Sequence, residues 1–227
     1  MTYREVLIWK QLSHPYVLPC LGVDSSLFGQ AGLCIVSPWM ENGSILQWME
    51  TRTLTSMEVN QLLAQIARGV EYLHQENVLH GGLRGANIVI DDMFRPRLVG
   101  CTASDLELDG GGCNPSLAAM GEARWQAPEI INPGQARNYS TDAYAYGQLC
   151  LELYTEKVPF WYIGSPIEVI RMVYKGTRPK RPEPKDCRGR EMGDKLWELI
   201  TRCGDYDPGK RPSMEQVAEE MDIIVAG

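Results

Sequence analysis

His80-Gly81-Gly82-Leu83-Arg84-Gly85-Ala86-Asn87 is the stretch whose reading decides this chain. It holds one histidine, one asparagine, one cation and three glycines, and no carboxylate. Glycine has neither an acceptor nor reach, so no acidic side chain stands in the loop to take a proton. Upstream lies a helix: from Ser56, the apolar Val59, Leu62, Leu63, Ile66, Val70 and Leu73 recur at helical spacing, and Thr55 with Glu58 forms a capping box. Its end is expected near Asn77. Downstream, Ile88-Val89-Ile90 reads as a strand, Asp91-Asp92 as a turn and Arg97-Leu98-Val99 as a second strand.

Further motifs follow in order: Gly100-Cys101-Thr102 after the second strand, then Arg124-Trp125-Gln126-Ala127-Pro128-Glu129, Ser140-Thr141-Asp142-Ala143-Tyr144-Ala145-Tyr146-Gly147, and Asp207-Pro208-Gly209-Lys210-Arg211-Pro212-Ser213. In this order and spacing the chain resembles a protein-kinase domain. Residues 80–87 have the frame His-x-Asp-Leu-x-x-x-Asn of its catalytic loop, with Gly82 where the catalytic aspartate stands. Gly100 takes the place of the aspartate of Asp-Phe-Gly, which holds magnesium on the nucleotide phosphates. The Ala-Pro-Glu, the start of the large buried helix and the Asp-Pro-x-x-Arg-Pro-Ser signature are intact. His-Gly-x-Leu-x-Gly-Ala-Asn, the Arg-Trp before Ala-Pro-Glu, and Leu12-Ser13-His14-Pro15-Tyr16-Val17-Leu18-Pro19 are similar to the tyrosine-kinase-like group, whose members mostly phosphorylate serine and threonine.

The resemblance implies a role for each site residue. Gly82, Arg84 and Gly100 are the degenerate catalytic positions. The base alone is worth roughly 100- to 10,000-fold, and positioning plus charge neutralisation supply most of phosphoryl transfer. Arg84 replaces a lysine that touches the transferring phosphate; it either attracts an anion or pairs with a neighbouring carboxylate. Asn87 binds the second magnesium in active relatives, and here hydrogen bonding within the loop is the favoured reading. Met40, in the expected hinge Trp39–Gly43, and Asn87 are the remnants of a nucleotide site. His80, Asp142 and the ion pair Glu129–Arg211 are expected to be architectural, with Asp142 accepting from the loop backbone. Glu5 stands where kinases place the glutamate that pairs with a strand lysine. The sequence as given begins inside that helix, so the resemblance implies an N-terminally truncated lobe without that lysine or the glycine-rich phosphate loop.

Composition narrows the rest. At 227 residues, 44% of them hydrophobic, the chain can bury a real core. A net charge of -7 argues against nucleic acid and anionic membranes, and the basic stretch Lys175, Arg178, Lys180, Arg181, Lys185, Arg188 and Arg190 reads as a solvated loop because prolines and acids interrupt it. No apolar run reaches the roughly 18 residues that span a bilayer and no signal peptide is visible, so a soluble cytoplasmic protein is expected. The seven cysteines are scattered, without a metal-ligand spacing, and read as reduced thiols. No metal and no bound cofactor is expected, and ATP binding is expected to be absent or very weak.

The expected fold is therefore α+β and kinase-like. Residues 1–43 form a remnant N-lobe of one partial helix, two antiparallel strands (Val17–Val23 and Leu33–Trp39) and the hinge, and 44–227 form a mostly helical C-lobe with helices near 141–156, 166–175, 190–202 and 213–225. Gly110-Gly111-Gly112 reads as a loop and not a phosphate cradle. The leading functional reading is a pseudokinase that binds another protein, such as an active kinase or a second copy of itself. The competing readings are an active serine/threonine kinase in which Asp91, Asp92 or Asp105 rescues metal binding, and a fragment without independent function.

Overall fold

A computed structural model describes residues 8–24, 34–100, 122–131 and 135–227. Glu5, Asp105 and the Gly110–Gly112 run lie outside the described residues. The strands are β1 (Gly22–Asp24), β2 (Cys34–Val36), β3 (Ile88–Ile90) and β4 (Pro96–Leu98), and the α-helices are α1 (Ile45–Glu50), α2 (Ser56–Gln75), α3 (Pro128–Ile131), α4 (Tyr139–Thr155), α5 (Pro166–Tyr174), α6 (Asp194–Cys203) and α7 (Met214–Ala226). β1 pairs antiparallel with β2, placing Val23 opposite Ile35, and β3 pairs antiparallel with β4, placing Val89 opposite Arg97. The architecture is the expected α+β arrangement, mostly helical with two small two-stranded sheets.

α2 begins and ends as its sequence dictates. Thr55 Oγ1 accepts from Glu58 N, Glu58 returns a bond to the Thr55 N–H, and Val59, Leu63, Ile66, Val70 and Leu73 form its fully buried face. That face packs against α7, β4 and α4. A capping box also starts α1, through Ser44 and Gln47. α4 shows little amphipathicity because nearly its whole surface is covered: from Thr141 to Thr155 every side chain is buried.

The two expected N-terminal strands are shorter than the apolar runs that suggested them. Val17 turns away from β1 and forms an isolated parallel bridge to Leu98, with Leu18 N donating to Leu98 O at 2.9 Å and Leu98 N to Tyr16 O at 2.9 Å. Gly69 makes this possible: a Cβ there would stand 2.9 Å from Leu98 Cδ1 and 3.1 Å from the Tyr16 carbonyl. Trp9, Leu12 and Val17 consequently belong to the same core cluster as α2 and α7.

Candidate functional site

The 80–87 loop lies on α4. Asp142, in the first turn of that helix, accepts from His80 N at 2.9 Å, from Gly81 N at 2.8 Å and from His74 Nε2 at 2.8 Å. Burial pushes its carboxyl up, but the bond from His74, the nearby imidazoles and the backbone donor at Gly81 outweigh that and leave it below the usual carboxylate range. His80 is fully buried; its Nδ1 accepts from Gly82 N at 3.2 Å. Burial lowers its pKa, with Asp142 and the Val99 backbone pulling the other way, so it sits in the interior as a neutral ring.

At the position of the catalytic base the loop closes on itself. Asn87 Nδ2 donates to the Gly82 carbonyl at 2.7 Å, and a Cβ at residue 82 would stand 3.3 Å from that same nitrogen. Arg84 pairs with Glu122 across the cleft at 3.0 Å, the second of the two fates its sequence left open. Gly100 adopts φ +76° with open space around its Cα. These residues and Trp125 line one cleft of about 110 Å³. Met40 does not join them: its carbonyl accepts from Gly43 N in the turn leading to α1.

Glu152 is the site residue that the sequence reading missed. It lies inside α4, nearly inaccessible, and its Oε2 accepts from Gly85 N at 2.8 Å and from Trp125 Nε1 at 2.9 Å. One carboxylate oxygen thus ties the loop to the Arg124–Glu129 segment. Burial pushes its pKa up to about 7, against those two donors and the charge of Arg84. An acid in the apolar second half of the helix, Leu149 to Tyr154, was the available signal. Arg124 anchors the same segment, donating to the carbonyls of Pro159, Phe160 and Ile163 at 2.8, 3.1 and 2.8 Å.

Arg211 completes the frame. Its guanidinium meets Glu129 with both ends, at 2.6 and 2.8 Å, and also holds Asp205 O and Ser140 O. The turn acid Asp91 is already engaged: it accepts from Met93 N, Arg95 N, Arg95 Nε and Arg97 Nε at 2.9–3.0 Å. Burial raises its pKa, and this set of donors more than reverses the effect. Among the described residues no group of three or more His, Cys, Asp or Glu side chains is placed to hold a metal.

Comparison with known proteins agrees with this frame. The profile of the protein tyrosine and serine/threonine kinase family matches residues 1–221, and the chain belongs to that family. It is 26% identical over 224 residues to the serine/threonine-protein kinase STY17 of Arabidopsis thaliana, covering 98% of this chain and 37% of that protein. It is 27% identical over 221 residues to the serine/threonine/tyrosine-protein kinase HT1 of the same plant, covering 96% of this chain and 53% of that protein. To the probable serine/threonine-protein kinase drkB of Dictyostelium discoideum it is 28% identical over 227 residues, 98% of this chain and 31% of that protein. The chain therefore spans between about a third and a half of these relatives' lengths.

Proposed function

We propose that this chain is a pseudokinase, a kinase-fold module that acts by binding another protein and transfers no phosphate. The state of the cleft carries the reading. Its lining includes two carboxylates among the described residues, Glu122 and Asp142; the first is paired with Arg84 and the second is spent on His74 and the loop backbone. Neither is available to accept a hydroxyl proton, and Gly82 and Gly100 present no side chain. The rescue by Asp91 is disfavoured by the same accounting, because releasing that carboxylate would strand Arg95 and Arg97.

Without an aspartate at residue 100 to hold magnesium, the roughly four negative charges of ATP meet an acidic protein without compensation. Mg-ATP should therefore raise the melting temperature by less than about 1 °C and give no heat at micromolar concentrations, and no phosphate should reach a generic protein substrate. Phosphorylation above background, or micromolar Mg-ATP affinity by calorimetry, would refute the pseudokinase reading and favour the active serine/threonine kinase that the relatives' names suggest.

The partner is read as a protein. The basic stretch 175–190 is engaged internally: Arg178 with Asp205, Arg181 with Asp194, Lys185 with Glu183, and both Arg188 and Arg190 with Glu156. Little free positive charge remains there for nucleic acid or an anionic membrane. Among the described residues no helix is long and apolar enough to cross a bilayer, and a cytoplasmic setting is part of the proposal.

A further inference from the structure

α5 buries one face and leaves the other without a partner. Val169 and Val173 pack into a cluster with Ala127, Tyr144 and Phe160. On the opposite side Ile167, Ile170 and Tyr174 recur three and four residues apart, which places them in one stripe along the helix. Ile167 is 62% and Tyr174 52% accessible. Tyr206 extends the stripe past the end of the helix: its hydroxyl donates to Tyr174 O at 3.4 Å, and its own side is open to solvent. Single apolar residues on a surface need no explanation, but a contiguous stripe on one helix does.

The charge beside the stripe has one sign. From Val169 to Pro182 the chain has five cations and no Asp or Glu. Arg178 is paired with Asp205 and Arg181 with Asp194, and Lys180 Nζ lies over the Tyr162 ring at 4.9 Å. Arg171 and Lys175, exposed and one turn apart on the flank of the stripe, have no carboxylate among the described residues. Glu168, the one acid of α5, offsets only part of this surplus. A chain of net charge -7 thus carries a positive patch. A second copy would bring its own excess of negative charge against that of the first, which disfavours self-pairing. So few cations do not hold a polyanion such as nucleic acid, and phosphates would leave the apolar stripe uncovered.

We propose that the outer face of α5 is a docking surface for an acidic amphipathic helix of a partner protein, with its aliphatic side chains on Ile167 and Tyr174 and its carboxylates on Arg171 and Lys175. Two helices packed face to face interdigitate side chains spaced three and four apart, and the charged rim sets orientation and approach. The proposal rests on the protein-binding reading of the chain and not on the loss of phosphate transfer, so an active cleft would leave it standing.

The probe is a designed helical peptide with leucine at every third and fourth position and glutamate on either side. It is compared with a twin carrying lysine for glutamate and another carrying serine for leucine. Titrated into the ¹⁵N-labelled chain, the glutamate peptide should shift the α5 amide resonances and bind about tenfold more tightly than either twin. Arg171→Glu with Lys175→Glu should reverse the preference to the lysine twin, and Ile167→Asp should weaken the glutamate peptide about tenfold or more. These changes lie on the exposed face, so the far-ultraviolet circular dichroism should stay that of the native chain. Equal binding of the two charged twins, shifts confined to other elements, or no binding at millimolar peptide would each overturn the assignment. Sedimentation in which the native chain self-associates and Ile167→Asp does not would hand the face to a second copy and overturn it as well. The three peptides on the unmodified chain decide the matter even if a variant fails to fold.

Discussion

Arg211 is where a single residue carries most. Its guanidinium is withdrawn from water and opposes Glu129 with two parallel bonds, so removing it strands a buried carboxylate that has no second salt bridge among the described residues. Breaking one side of such a pair costs about 3–5 kcal/mol, a large share of the roughly 5–15 kcal/mol that holds a domain folded. Arg211→Ala should lower the urea unfolding free energy by that amount. Arg211→Lys should recover less than half, because an ammonium cannot supply the two-pronged geometry. Recovery to near the native value by lysine would show that charge alone matters. At Gly82 and Gly100 packing enforces nothing comparable. A Cβ at 82 would stand 3.3 Å from the Asn87 Nδ2 that the Gly82 carbonyl holds, and one at 100 meets nothing within 4 Å, although the φ of +76° there strains any residue that carries a side chain.

At the scale of the element, α4 is the organiser: Asp142 at its start holds His80 and Gly81, and Glu152 near its end holds Gly85 and Trp125. Their linkage to pH has opposite signs. Asp142 is depressed, so its contribution is present above the unfolded carboxylate pKa and is lost as pH falls through the lower folded value. Glu152 ionises near 4.5 when unfolded and near 7 when folded. Between those values the folded state holds a proton that the unfolded state has released, so this group favours folding most at low pH and loses that contribution as pH rises from 4.5 to 7. The change is on the order of 3 kcal/mol. His80, whose pKa burial lowers, acts oppositely below 6.5, so the test is a difference. Subtracting the Glu152→Gln stability curve from that of the native chain over pH 4.5–8 should leave a slope confined to that window. A flat difference would mean that Glu152 titrates normally.

For the whole molecule, the N-terminal residues divide into two behaviours. Residues around Trp9, Leu12 and Val17 are core, bound to the β3–β4 hairpin and α2, whereas β1, β2 and the hinge expose apolar side chains: Leu21 is 63% and Trp39 83% accessible. Exposed apolar side chains grouped in this way associate readily with another chain. Sedimentation at increasing concentration should show reversible self-association that Leu21→Ser with Trp39→Ser abolishes. A concentration-independent monomer for the native chain would show that this surface is tolerated in water and would remove the second-copy partner from consideration.

The local rules made much of this legible in advance. The capping box at Thr55 and Glu58, the apolar periodicity of α2 and the Ile88–Leu98 hairpin depend on neighbours within a few residues, and the order of the motifs carries the family and the lack of acids at residues 82 and 100. What the chain could not announce was where its long-range partners stand. Arg84 had two open fates until folding put Glu122 beside it. Val17, which reads as the start of a strand continuing into β1, left that run because Leu98 offered it a backbone partner across Gly69. Glu152 looks like an intrusion into an apolar stretch of helix until the loop and Trp125 bring their donors to it. In each case the deciding partner lies far along the chain, and a hydrogen bond or ion pair between distant residues has no period or spacing by which a sequence can declare it.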